Sequence, residues 1–111
     1  MTEIAEIEVH RQDLGGDEHL ISVAGQVDLY TAPELKVAVT QVIDDGAQRV
    51  IVDLTETTFM DSTGLGVLVG AKKRLRALDG SIAIVSPDAG IRRLFEISGL
   101  THLFEIYETR P

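Results

Sequence analysis

The 111-residue chain has no cysteine, which excludes a disulfide framework, thiol chemistry and thiolate metal sites. That absence fits a reducing cytoplasm. Positive charge is scarce: 10 Lys and Arg stand against 18 Asp and Glu, for a net charge of −8. A nucleic-acid partner would need clustered cations to neutralise phosphates, so direct nucleic-acid binding is not expected. One basic cluster exists, Lys72, Lys73, Arg74 and Arg76, placed where a helix C-terminus would favour cations. Long apolar runs are also missing. The uncharged segment Ser62 to Ala71 is far short of the ~20 residues that span a bilayer, so no membrane insertion is expected. The opening Met1-Thr-Glu-Ile-Ala-Glu is acidic and alternating, the opposite of a signal peptide. There is no internal repeat, low-complexity segment or linker. The expectation is one cytoplasmic domain over residues 1–111.

What is present is an alternation of short apolar runs and amphipathic stretches. Ile4 to His10 alternates as an edge strand with one wet face, and Arg11 to Glu18, with Gly15-Gly16, reads as a hairpin loop. His19 to Ala24 is the second strand, ended by Gly25-Gln-Val-Asp28. Thr31-Ala-Pro-Glu34 predicts a helix start with Thr31 and Glu34 as a capping box, and Leu35, Val39, Val42 and Ile43 form its buried stripe. Arg49 to Leu54 is a buried strand, and a polar turn leads from its end into a second helix near Ser62. On that helix Val67, Ala71, Leu75 and Leu78 share one face. Ser81 to Val85 is a strand. Ser86-Pro87 opens a third helix carrying Ile91, Leu94, Phe95 and Ile97, and Ser98-Gly99-Leu100 is its Schellman stop. Leu103 to Tyr107 is a last strand or a docked tail. The order β-β-α-β-α-β-α-(β) predicts an α/β fold. Its mixed sheet has an antiparallel N-terminal hairpin and later parallel strands, flanked by helices.

The polar residues converge where Asp28 and the Asp61–Gly64 turn should lie together, at the carboxyl ends of strands. Catalysis there is not expected. A nucleophile elbow at Ser62 needs glycine at 60, where Met60 stands, and none of His10, His19 or His102 is placed beside it. Gly64, Gly66 and Gly70 do not spell a phosphate-binding loop, and Gly64-x-Gly66-x-x-Val69 only half matches a dinucleotide fingerprint. Asp28, Asp53 and Asp61 lack metal-ligand spacing. The reading is therefore a non-enzyme without cofactor or metal.

A binding surface remains. Ser62, Gly66 and Gly70 form an i, i+4, i+8 ridge without bulk. Glycine costs ~1 kcal/mol against alanine inside a helix, so something approaches closely: either the sheet, a reading strongest for Gly70, or a partner. Asp61 is a natural N-cap whatever the function. Ser62, in the first turn, is a candidate phosphorylation site. The free N–H groups tolerate a phosphate there, while Asp61 and Asp28 would repel it from a docked partner.

At these residues the chain resembles a known family. Phe59-Met-Asp-Ser-Thr-Gly-Leu-Gly-Val67 is similar to the signature turn of the bacterial anti-sigma factor antagonists of the STAS domain family. Gly25-Gln-Val-Asp-Leu-Tyr-Thr31 resembles the loop after their second strand, and Arg93-Leu-Phe-Glu-Ile-Ser-Gly-Leu100 the end of their third helix. The resemblance implies partner switching. The unphosphorylated protein binds an anti-sigma factor that is also a serine-protein kinase, and this frees the sigma factor. The kinase phosphorylates Ser62, and a metal-dependent serine phosphatase resets it. Thr63 is a possible alternative site. The implied partner-binding set is Gly25, Asp28, Asp61, Ser62, Thr63, Gly64, Leu65 and Gly66. Leu29-Tyr30 departs from a more polar pair in some relatives. The alternative role is an accessory STAS module of a membrane transport or lipid-trafficking complex.

Overall fold

The computed structural model describes residues 6–100 and 102–110. In chain order the elements are β1 (Ile7–Gly15), β2 (Glu18–Val27), α1 (Ala32–Asp44), β3 (Arg49–Met60), α2 (Ser62–Ala77), β4 (Ser81–Val85), α3 (Ala89–Ile97) and β5 (Glu105–Tyr107). The five strands lie side by side in sequence order. The first pair is antiparallel and the rest are parallel, so the mixed sheet expected from the sequence is what forms.

Strands added in sequence order, with crossovers of one hand, place every helix on the same face. The core has that arrangement. Leu35, Val39 and Val42 of α1, Leu68 and Leu75 of α2, and Phe95 of α3 share one buried cluster with Ile21, Val52 and Ile84 from alternate strand positions. Among the described residues the opposite face carries a small cluster of Leu20, Ile51, Ala83 and Val85, to which no helix contributes. On that face Arg49 donates to Glu105 (2.8 Å) and Ser81 (3.1 Å) and pairs with Glu18 (3.3 Å), which ties four strands together. The hydrogen bond to Glu105 raises the guanidinium pKa above its ordinary value, so Arg49 stays charged.

Several expectations need correction. The predicted loop at Arg11–Glu18 shrinks to Gly16 and Asp17, whose φ values of 60° and 64° suit a two-residue turn matched to strand twist. β1 runs through the polar Arg11–Asp13 because an edge strand with a wet face accepts charge. Ile4 and Ala5 lie outside the described residues. β2 continues to Val27 rather than stopping at Ala24, and β3 to Met60 rather than Leu54. The reason is two bulges, at Asp53–Glu56 and Thr57–Phe59, where β3 carries one more residue than β2. They turn the inward period from two to three, so Leu54, Thr57 and Met60 all face in. The buried Thr57 hydroxyl is satisfied by donating to the Val23 carbonyl (2.8 Å).

The inner face of α2 is Gly64, Leu65, Leu68, Ala71 and Leu75. Val67 is only half-buried, and Leu78 is the exposed C-cap. α3 begins after Asp88, not at Ser86-Pro87, because the Asp88 carboxylate accepts from Gly90 N (2.7 Å) and Ile91 N (3.1 Å). Its Ile97 is exposed. Its stop is the expected Schellman motif. Gly99 has φ 69°, Gly99 N donates to Glu96 O, and Leu100 N donates to Phe95 O. The last segment is a strand, with Glu105–Tyr107 pairing along β4.

Candidate functional site

The β2–β3 register sets the site. Val27 is paired with Met60, so the next residues, Asp28 and Asp61, leave neighbouring strand ends side by side. Asp61 N donates back to Val27 O (3.1 Å), which holds the two chains together as they diverge. Asp61 is in an extended conformation, and its carboxylate accepts from Thr63 N (2.8 Å) and Gly64 N (3.3 Å), capping α2. Ser62, the first residue of α2, is exposed. Its hydroxyl has no hydrogen-bond partner among the described residues. Asp61→Ala should lower stability by about 1 kcal/mol, read as a small drop in urea midpoint at unchanged slope.

Asp28 is held just as firmly. Its carboxylate accepts from Tyr30 N (2.9 Å) and Thr31 N (3.1 Å), and its own N–H donates to the Thr31 hydroxyl (2.9 Å). The Thr31 hydroxyl in turn donates to Gln26 O (2.7 Å). This corrects the capping box expected of Thr31 and Glu34. Thr31 stands at the N-cap of α1 but makes no side-chain cap bond, because its hydroxyl fastens the Asp28 loop instead.

The glycines divide differently from the expectation. At Gly64 an added Cβ would sit 2.6 Å from Val27 Cγ1 and 3.1 Å from Met60 Cγ, so this glycine lets α2 press onto the strand ends. At Gly66 and Gly70 it would meet nothing within 4 Å. Gly25 has φ 104°, and a Cβ there would lie 2.5 Å from the carbonyl oxygen of Glu6, just before β1, so the backbone leading into β1 demands it. Leu65 is buried in the core. Asp28, Asp61, Ser62, Thr63 and Gly66 therefore reach the surface together, while Gly25, Gly64 and Leu65 hold the frame behind them. Phe59 was missed. It is 48% exposed beside the second bulge, and Leu29 (65%) and Tyr30 (80%), directly after Asp28, are exposed as well. Its place at the head of the Phe59–Val67 turn was the signal that could have found it.

Because the strand order never reverses, no switch-point crevice opens at these carboxyl ends. The site is an exposed rim, suited to a macromolecular surface. His19 lies at the amino end of β2, away from Ser62. Among the described residues no group of histidines and carboxylates could hold a metal ion, and no helix is long and apolar enough to cross a membrane.

This rim sits inside a recognised sequence family: residues 7–111 match the STAS domain model. The chain belongs to the STAS domain family. The resemblance read from Phe59–Val67 therefore holds. An anti-sigma-B factor antagonist of Listeria monocytogenes is 45% identical over 103 residues, spanning 90% of this chain and 86% of that protein. An anti-sigma factor antagonist from Mycobacterium paratuberculosis superposes with TM-score 0.87 at 28% identity, covering 98% of this STAS chain and 92% of that one. The Bacillus cell fate determinant SpoIIAA in its phosphorylated form shares the fold, with TM-score 0.72 at 23% identity over 89% of this chain and 90% of that one.

Proposed function

We propose that this STAS protein is a cytoplasmic anti-sigma factor antagonist, not an enzyme, switched by phosphorylation of Ser62. Unphosphorylated, it binds an anti-sigma factor that is also a serine kinase and so frees the sigma factor. Phosphorylation breaks the complex, and a metal-dependent serine phosphatase restores it. The observation that carries this reading is an exposed, unbonded Ser62 hydroxyl beside two carboxylates that are each already locked by backbone donors. Neither Asp28 nor Asp61 can swing aside without breaking those bonds, so a phosphate on Ser62 meets fixed negative charge. The Asp61 carboxylate already takes Thr63 N and Gly64 N, so the first turn of α2 tolerates the same phosphate chiefly through the positive end of the helix dipole. The modification therefore acts on the partner interface and leaves the fold in place. The relatives named as antagonists support the reading, as does a fold relative known in a phosphorylated form.

The test is incubation with ATP and the anti-sigma kinases of the same genome, followed by intact mass and site mapping. One added phosphate on Ser62, absent from Ser62→Ala, is expected. Tight binding with no phosphate on any residue would reduce the protein to a plain docking domain. Phosphate on Thr63 alone would move the switch by one residue.

A further inference from the structure

Beside the Ser62 rim a groove of about 740 Å³ runs between α1 and α2. Its apolar lining includes Ala32, Val39, Ile43, Val67 and Ala71, and Leu29 and Thr63 join it to the rim. Gly66 and Gly70 form one edge, and among the described residues nothing beyond the surrounding α2 backbone comes within 4 Å of either Cβ position. Two helix-interior glycines thus weaken α2 with no intramolecular contact to explain them. In a chain with 18 carboxylate residues and 10 cationic ones, the lining holds Lys36 and Arg74 and not one carboxylate. Arg74 also reaches Asp44 (2.7 Å), while Lys36 makes no ion pair among the described residues.

We propose that this groove receives an amphipathic helix of the anti-sigma partner, its apolar stripe against Gly66 and Gly70 and its acidic flank facing Lys36 and Arg74. The inference rests on the switch reading above and extends it: the partner is held at two places, and phosphorylation disturbs only one. From Thr63 to Arg74 the α2 wall runs roughly 16 Å, room for about three turns of helix. Both walls are helices, so no strand edge offers main-chain bonds to an extended peptide, and a helix is the occupant that such a groove accepts. Missing side chains at two successive turns let the incoming helix axis come close. A cationic lining in an acidic protein selects an acidic flank.

The experiment titrates the purified anti-sigma kinases of the same genome into wild type, Gly70→Phe and Lys36→Glu by calorimetry, and follows Ser62 phosphorylation in parallel. Gly70→Phe fills the groove from an open position and should weaken binding about 30-fold with a melting midpoint no lower than that of wild type. Lys36→Glu should weaken it about 5-fold and flatten its salt dependence. Should Gly70→Phe melt abnormally, Lys36→Glu alone decides. Wild-type affinity in both variants, with Ser62 still phosphorylated, overturns the groove and leaves the switch standing. Failure of every kinase to bind wild type removes the switch reading and this inference with it.

Discussion

Phosphorylation of Ser62 is expected to weaken binding to the anti-sigma factor by at least about 100-fold, or ~3 kcal/mol, with the thermal midpoint almost unmoved. The two halves of that result have separate causes. The midpoint holds because Ser62 is exposed and the positive end of the α2 dipole offsets part of the added charge, about −1.5 to −2 near neutral pH. Affinity falls because Asp28 and Asp61 are pinned by their own loop and cap bonds. A docking surface must then desolvate three negative groups at once, and like-charge juxtaposition across an interface costs several kcal/mol. Ser62→Ala should keep full affinity and resist release. Ser62→Asp, with one charge and a shorter reach, should fall between the two. Calorimetric titration of all three forms, paired with melting curves, reads both halves. Equal affinity for phosphorylated and unmodified protein would remove the electrostatic switch, and a lowered midpoint would replace it with local unfolding.

Parts of this site were legible because they depend on local chemistry. Asp61 followed by an apolar-periodic stretch announces the capped start of α2, and Gly99-Leu100 announces the Schellman stop of α3, wherever such residues occur. The meeting of Asp28 and Asp61 was readable too, since each follows a strand and parallel neighbours bring such ends together. What escaped depends on register. The segment after Leu54 reads as a polar turn because two bulges shift its burial from every second to every third residue. The bulges exist only as a relation between β3 and β2, and no window on β3 alone contains it. The phase of α2 failed for a related reason. Val67 and Leu78 fit a helical stripe with Ala71 and Leu75, but Asp61's cap and the approach to Val27 rotate the helix so that Gly64, Leu65 and Leu68 face inward. Thr31 resembled a cap by sequence, yet its hydroxyl had a better use in bracing Asp28.

That rotation makes neighbouring glycines behave in opposite ways. Gly64→Val should destabilise the domain by about 3 kcal/mol, because overpacking forces Val27 and Met60 out of place. Both are buried at the ends of paired strands, so relief requires α2 to lift from the sheet. A loss of that size corresponds to a fall in melting midpoint of about 12 °C. Gly66→Ala places its methyl in open space and removes the entropic penalty of a helical glycine. It should gain up to ~1 kcal/mol and raise the midpoint by about 4 °C. Thermal melts of the two variants decide the matter without any partner. Similar shifts of the same sign would mean that α2 does not contact the strand ends through Gly64. If Gly66→Ala is more stable but binds the anti-sigma factor less well, the glycine is kept for the approach of another surface, at the expense of the helix that carries it.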